Sequence, residues 1–285
     1  MATKVTPAVK KSTQVAEVDE ALELIIQNAG DGLGNVTTQD ILIPRFQILQ
    51  PMSPEISDKT VKGNSPGNII NKASKETFDG ETGIRAVPCE FFRNYVEWEK
   101  RGQTSRKAPV NTYPASSDIM TKTKRDEKDN LNYLPNGNYV EEVANHLVVV
   151  LDEDDLPLSK ALITMKVSQM KKSRMWLYMQ KTAILKVAGR VITNPPSYSF
   201  IYKLGTTLEQ VGGNPVHSWV IERLEMVSNK DTLESCISFA KSFQQGEVGI
   251  APDHDEEQQE ELVDVTPDTK SATGSTEEEI SGVKF

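Results

Sequence analysis

A long extended pattern between Ile84 and Glu99 does most to limit the folds that this chain can adopt. Successive side chains of a strand point to opposite faces, so one face of this run would carry Phe91, Arg93, Tyr95 and Glu97. The other face would carry Phe92, Val96 and Trp98. The run therefore predicts a long strand with large side chains on both faces.

Further strands and helices follow from the same kind of pattern. Strands are predicted at Tyr139–Leu151, Leu158–Met165, Tyr198–Leu204 and His217–Met226, because these runs are rich in β-forming residues. Helices are predicted at Ala16–Asn28, Val167–Ala188 and Asp231–Gln245, because apolar residues recur there at helical spacing. Residues 100–138 are polar and are predicted to form a long loop.

The order of these elements predicts an α+β, mainly β fold. From Ile84 onward it is strand, loop, strand, tight turn, strand, helix, strand, strand, which is the order of an OB-fold-like five-stranded barrel with its helix between strands 3 and 4. A sheet without barrel closure is the alternative. The predicted domains are a disordered leader (1–15), an N-terminal helix with short strands packing on the body (16–83), an OB-like nucleic-acid-binding domain with a C-terminal helix (84–252) and an acidic disordered tail (253–285).

The negative charge of the chain is concentrated in its last residues. The net charge is −9, and residues 253–285 hold eleven acidic side chains against Lys270 and Lys284, which accounts for all of it. Between Asp155 and Glu209 the sequence has nine Lys or Arg residues and no acidic residue. The body therefore carries a basic region, and the tail carries the opposite charge.

Catalytic and metal-binding patterns are few. The three histidines and two cysteines do not lie at the spacing of a metal site, so neither an enzyme activity nor a cofactor or metal is predicted. The longest apolar run is five residues, Leu147–Leu151, whereas a membrane span needs roughly 18. The amino terminus lacks a secretory pattern and two lone thiols suit a reducing compartment, so we expect a cytoplasmic protein that does not bind membranes.

The sequence contains many more residues suited to nucleic-acid binding than to catalysis. A protein that binds single strands without reading their sequence needs cations for the phosphates and aromatic rings on which bases stack. One cluster offers Phe91, Arg93, Tyr95, Trp98, Lys100, Arg101, Arg106 and Lys107. A second cluster offers Lys166, Lys171, Lys172, Arg174, Trp176, Tyr178, Lys181, Tyr202 and Lys203. The alternative is that the aromatic residues belong to the core and the lysines to a solvated face.

The tail and the basic, aromatic body together resemble a known family. An acidic tail that ends in phenylalanine, here Phe285, on a predicted OB body resembles the single-stranded DNA-binding proteins of T7-like phages. The stretches Ile43–Phe46, Tyr95–Trp98 and Ser168–Trp176 also look like those of a broader set of phage early-region proteins.

This resemblance implies sequence-independent binding of single-stranded DNA in phage replication and recombination, in the host cytoplasm. The tail would compete with DNA for the basic groove and would dock a phage DNA polymerase, helicase or primase, with Phe285 as its anchor. A homodimer is one assembly that the sequence allows. Two alternatives stay open: a single-strand annealing recombinase, and a non-enzymatic structural or assembly protein of a phage.

Overall fold

One curled sheet carries most of the strands of this protein. The computed structural model describes residues 21–28, 31–35, 43–57, 64–100, 109–211 and 213–248, all within the unit Met1–His254. The predicted leader and tail lie outside the described residues, as do the first residues of the predicted helix Ala16–Asn28, of which 21–27 are helical. No helix in these ranges is long and apolar enough to cross a membrane.

The elements are numbered here in chain order. The strands are β1 (Arg45–Ile48), β2 (Ile69–Asn71), β3 (Thr77–Phe78), β4 (Ile84–Trp98), β5 (Asn111–Pro114), β6 (Lys124–Arg125), β7 (Asn132–Tyr133), β8 (Tyr139–Leu151), β9 (Pro157–Lys166), β10 (Ile184–Val187), β11 (Arg190–Thr193), β12 (Phe200–Val211) and β13 (Asn214–Met226). The helices are α1 (Pro54–Ser57), α2 (Met170–Lys181) and α3 (Lys230–Gln244), with 3-10 turns at Ile119–Lys122, Val167–Gln169 and Ser197–Ser199.

The main sheet has the strand order β13-β12-β4-β8-β9-β1-β2-β3. Strand β4 pairs antiparallel with β8 along most of its length and with β12 at residues 84–86. The register of β4 against β8 shifts between Pro88 and Glu90, where an irregularity of this kind bends a strand. Strand β1 is parallel to β9, with Arg45 opposite Leu162. Strands β10 and β11 form a separate two-stranded sheet.

The two faces of the main sheet are covered by different helices. On one face, which we call the α2 face, Trp176 of helix α2 packs into a core with Val148, Ile163 and Tyr202. On the opposite face, the α3 face, residues of helix α3 such as Phe239 pack against Leu147, Leu162 and their neighbours. The alternation along β8 explains both cores, because Val148 and Val150 point to the α2 face and Leu147 and Val149 to the α3 face.

A buried carboxylate ties the connection between β4 and β8 to the sheet. Glu97 is 4% exposed, and it accepts hydrogen bonds from the Tyr113 hydroxyl (2.6 Å) and from Asn138 Nδ2 (2.6 Å). Burial alone would raise the pKa of Glu97, but these hydrogen bonds together hold it below its ordinary value. Glu97 is therefore an ionised group that fixes strand β5 and the turn before β8.

The mainly β, α+β class and the five strands predicted from Ile84 onward are confirmed as β4, β8, β9, β12 and β13. The helix predicted at Asp231–Gln245 is confirmed as α3.

The helix predicted at Val167–Ala188 is wrong in its second half, because α2 ends at Lys181 and a hairpin follows. Ala188 (φ 48°) and Gly189 (φ 74°) both adopt positive φ, as a two-residue hairpin turn of type I′ requires. Strands β5, β6 and β7 lie within the predicted loop 100–138.

Candidate nucleic-acid interface

Helix α2 presents a row of exposed side chains on its side away from the sheet. The row consists of Lys171, Arg174, Met175, Tyr178 and Lys181. Apart from the neighbours Arg174 and Met175, successive positions are three residues apart, so the row shares one side of the helix. Tyr178 is 64% exposed, and α2 contains no acidic residue. We call this row the α2 ridge; it combines three cations with an accessible aromatic ring.

The opposite side of α2 belongs to the core. Trp176 is fully buried, and its ring stacks on the His146 imidazole with 4.5 Å between centroids. Tyr202 is also fully buried and meets the Trp176 ring edge-on at 5.8 Å. These two aromatic residues were predicted to bind nucleic acid, and this part of the prediction is corrected, because a ring enclosed by protein cannot stack on a base.

The core behind α2 also fixes the orientation of the helix. His146 Nε2 lies 2.8 Å from Ser173 Oγ, one turn before the buried tryptophan. Burial lowers the pKa of His146 to about 3, so the imidazole is neutral near pH 7. It shares one hydrogen bond with Ser173, as donor or as acceptor according to its tautomer. This contact, together with the ring stack, holds α2 against the sheet and turns the α2 ridge outward.

The two predicted clusters meet at one carboxylate. Glu142 of β8 lies 3.0 Å from the Arg93 guanidinium of β4 and 3.4 Å from that of Arg174 on α2. Tyr95 stands directly opposite Glu142 in the β4–β8 register and is half-buried. Two guanidinium groups on one carboxylate leave a net positive charge at this junction. The structure thus brings Arg93 and Tyr95 next to the α2 ridge.

Three other residues that the sequence predicts as site residues do not belong to the α2 ridge. Lys172 bonds to Glu209 at 2.6 Å, and this hydrogen bond lowers the pKa of Glu209. Phe91 is half-buried and packs against His146, with ring centroids 5.0 Å apart. Lys203 lies in a different groove, where it stands opposite Glu222 on β13.

The remaining predicted residues fall into two groups. Trp98 and Lys166 lie on the sheet face opposite Arg93, and Lys166 Nζ is 5.3 Å from the centroid of the Trp98 ring. Lys100 is exposed just beyond the end of β4. The residues predicted from the sequence that lie outside the described ranges are Arg101, Arg106, Lys107 and Phe285.

Three exposed residues near this surface were not predicted as site residues. Met175 lies in the middle of the α2 ridge, and Lys186 and Arg190 lie on the hairpin that follows α2. A helical wheel of α2 would have identified Met175. Lys186 and Arg190 belong to the acid-free region between Asp155 and Glu209, which was the available signal.

A metal centre needs several ligating side chains close together. Within these ranges, no group of three or more His, Cys, Asp or Glu side chains could hold a metal ion. Cys89 and Cys236 are both buried free thiols in the core of the α3 face, and burial raises the pKa of the Cys89 thiol well above its ordinary value. The α2 ridge and its junction with Arg93, where cations outnumber carboxylates, are the candidate site for a ligand of negative charge.

Comparison with known proteins places the chain in a phage family. Searches of curated proteins and of solved structures found no match. The model of one family, described as Pam3 phage gp34-like protein, matches residues 11–249. This range includes every strand and helix described above and ends before the acidic tail. Since the match covers most of the sequence, the chain belongs to the Pam3 phage gp34-like protein family.

Proposed function

We propose that this protein binds single-stranded DNA without reading its sequence and that it serves a phage in DNA replication and recombination, in the host cytoplasm. The observation that carries the proposal is the α2 ridge, where Tyr178 is exposed among Lys171, Arg174 and Lys181. Cations of this kind contact phosphates, and an exposed aromatic ring stacks on a base of any identity. Such a surface needs no catalytic group, so the proposed role is not enzymatic.

Strand order supports a relationship to the OB fold. In that fold the first strand pairs with the second and the fourth, and the fifth strand pairs with the fourth. Here β4 pairs with β8 and β12, β13 pairs with β12, and α2 stands between the third and fourth of these strands. We propose that the sheet is an OB-fold variant, a fold that binds oligonucleotides on its sheet face and loops.

The gap between the third and fifth strands of this variant is filled by other elements. Strand β1 runs beside β9, and Gln50, just after β1, bonds to the backbone of His217 in β13. Its side chain donates to the His217 carbonyl (2.9 Å) and accepts from the His217 amide (3.0 Å). Gln169, just before α2, also donates to the His217 carbonyl, at 3.2 Å. These contacts join the segment after β1 and the residue before α2 to the same point of β13.

The junction at Glu142 supports the proposal in a second way. Glu142 holds Arg93 and Arg174 near each other while only one of their two charges is neutralised. Both guanidinium groups are therefore pre-positioned, so less side-chain entropy is lost when a phosphate binds. We include in the proposal the tail, residues 253–285, as a competitor of DNA and as the docking segment, through Phe285, for a replication polymerase, helicase or primase.

The proposal is tested by titrating labelled oligo(dT) and a duplex of equal length with the full chain at several salt concentrations. The test variant carries Lys171→Gln, Arg174→Gln and Lys181→Gln. Each lost phosphate contact should reduce the slope of log affinity against log salt by about 0.7, so the slope should become about 2 smaller. Affinity for oligo(dT) should fall with it.

The matched control carries Lys122→Gln, Lys128→Gln and Lys241→Gln, three exposed lysines on other parts of the surface. It changes the net charge as much as the test variant and should leave the slope almost as it is. The proposal fails if the natural chain does not prefer single strands over duplex, or if the control lowers affinity and slope as much as the test variant. Acceleration of the pairing of complementary strands would instead favour an annealing protein.

A further inference from the structure

The β10–β11 hairpin stands apart from the main sheet. Its two strands pair only with each other among the described strands, and Ala188 and Gly189 form its turn. Ala183 before the hairpin and Pro195 after it are buried, whereas nearly every residue between them is exposed. The hairpin is therefore an arm whose two ends are buried and whose strands and turn are exposed.

The arm exposes apolar side chains to solvent. Ile184 is 56% exposed and Val191 is 63% exposed, and Val187 and Ile192 are exposed as well. An isolated two-stranded hairpin is marginally stable at best, and its outer edges carry main-chain groups that no neighbouring strand uses. A surface of this kind is stabilised when another molecule covers it.

The charge of the arm indicates which molecule that is. Lys186 and Arg190 are its charged residues, and residues 184–193 contain no acid. The arm follows directly after Lys181, the last cation of the α2 ridge. Pairing with a second copy of the arm would bring these cations together, whereas a polyanion already held on the α2 ridge would be attracted to them.

The register of the hairpin combines both properties on each of its faces. Lys186 stands opposite Val191, and Arg190 stands opposite Val187. Residues directly opposite each other share a face, so each face of the arm presents one cation beside one apolar side chain. A nucleic-acid strand offers the matching pair, a phosphate beside the hydrophobic face of a base, and apolar side chains are known to pack against bases.

We propose that the β10–β11 arm is a second contact for the strand bound on the α2 ridge. Lys186 and Arg190 contact its phosphates, and the apolar residues beside them pack against its bases. The inference rests on the proposed function, since it assumes that the ridge binds single-stranded DNA. It extends the binding surface beyond the helix and gives the exposed apolar residues a role.

The test uses the full chain and labelled oligo(dT) at about 50 and about 200 mM salt. In the double variant Lys186→Gln, Arg190→Gln the loss of affinity between these two salt concentrations should become about sevenfold smaller, because two phosphate contacts are removed. The variant Val191→Ser, Ile192→Ser should weaken binding several-fold without a change in the salt slope. Circular dichroism and the mass in solution are recorded for each variant.

The matched control is Lys230→Gln, Lys241→Gln on helix α3, which removes the same charge from another exposed surface. If both arm variants bind like the natural chain while the α2 ridge variants do not, the arm is not a DNA contact and the proposed function stands. If the arm variants change only the mass in solution, the arm joins copies of the chain and the inference is overturned. If the natural chain does not bind oligo(dT), both proposals fall.

Discussion

Two aromatic residues on helix α2, only two positions apart, should respond to mutation in opposite ways. Trp176 is fully enclosed by His146, Tyr202 and the sheet, whereas Tyr178 points to solvent. The replacement Trp176→Ala removes a large buried side chain and should lower the free energy of unfolding by about 3–5 kcal/mol. That is a large part of the stability of a typical domain, roughly 5–15 kcal/mol.

The replacement Tyr178→Ala should leave the free energy of unfolding within about 0.5 kcal/mol, since the side chain makes few packing contacts. If its ring stacks on a base, the affinity for oligo(dT) should fall by about 1–3 kcal/mol, which corresponds to roughly 5- to 140-fold. Loss of a stacking ring removes no charge, so the salt slope should stay the same.

Urea denaturation and fluorescence anisotropy, measured on the same preparations, separate the two effects. Trp176→Phe serves as the control, because it keeps an aromatic ring in the core and should recover much of the stability. The reasoning is refuted if Trp176→Ala unfolds at the same urea concentration as the natural chain but loses DNA binding. It is also refuted if Tyr178→Ala binds DNA as tightly as the natural chain.

Three further predictions concern other parts of the molecule. Glu97→Gln should lower the free energy of unfolding, measured by urea denaturation, by about 1–3 kcal/mol. Because the pKa of Glu97 is lower in the folded state, the stability that the carboxylate contributes is present above about pH 4.3 and is lost below it. The variant should lack this part of the acid dependence. The pKa of His146 falls to about 3 on folding, so stability should decrease by up to about 1.4 kcal/mol per pH unit as the pH falls from about 6.5 to 5, and His146→Gln should flatten this decrease in a series of urea titrations. Truncation after Pro252 removes eleven acidic residues and should tighten oligo(dT) binding, most at low salt; equal affinity with and without residues 253–285 at low salt would contradict the competitor role of the tail.

The strands of the main sheet could be predicted because their patterns are long. Ile84–Glu99 places large side chains on both faces of a strand and Tyr139–Leu151 is rich in β-forming residues, and the two runs are β4 and β8 within one residue. The hairpin after α2 was missed because Ile184 and Ala188 continue the helical spacing of the preceding residues. Only the turn at Ala188 and Gly189 breaks that spacing, and a single Gly is a weak signal for a turn.

The candidate site was predicted in its chemistry but not in its geometry. The acid-free region drew attention to four of the five residues that form the α2 ridge, Lys171, Arg174, Tyr178 and Lys181. The sequence did not show that Trp176 points into the core and Tyr178 to solvent. That difference depends on which side of α2 packs on the sheet. The junction of Arg93, Glu142 and Arg174 was out of reach as well, since it joins three elements through the tertiary fold.

The position of β1 constrains how the chain can fold while it is being synthesised. Gln50 forms a hydrogen bond with the backbone of His217, 167 residues further along the chain, and β1 pairs with β9. At a synthesis rate of about 5–20 residues per second, roughly 8–33 s pass between the synthesis of Gln50 and that of His217. During this interval Phe46 and Ile69 lack part of the core that later buries them, so these apolar side chains are open to aggregation until the later strands are made.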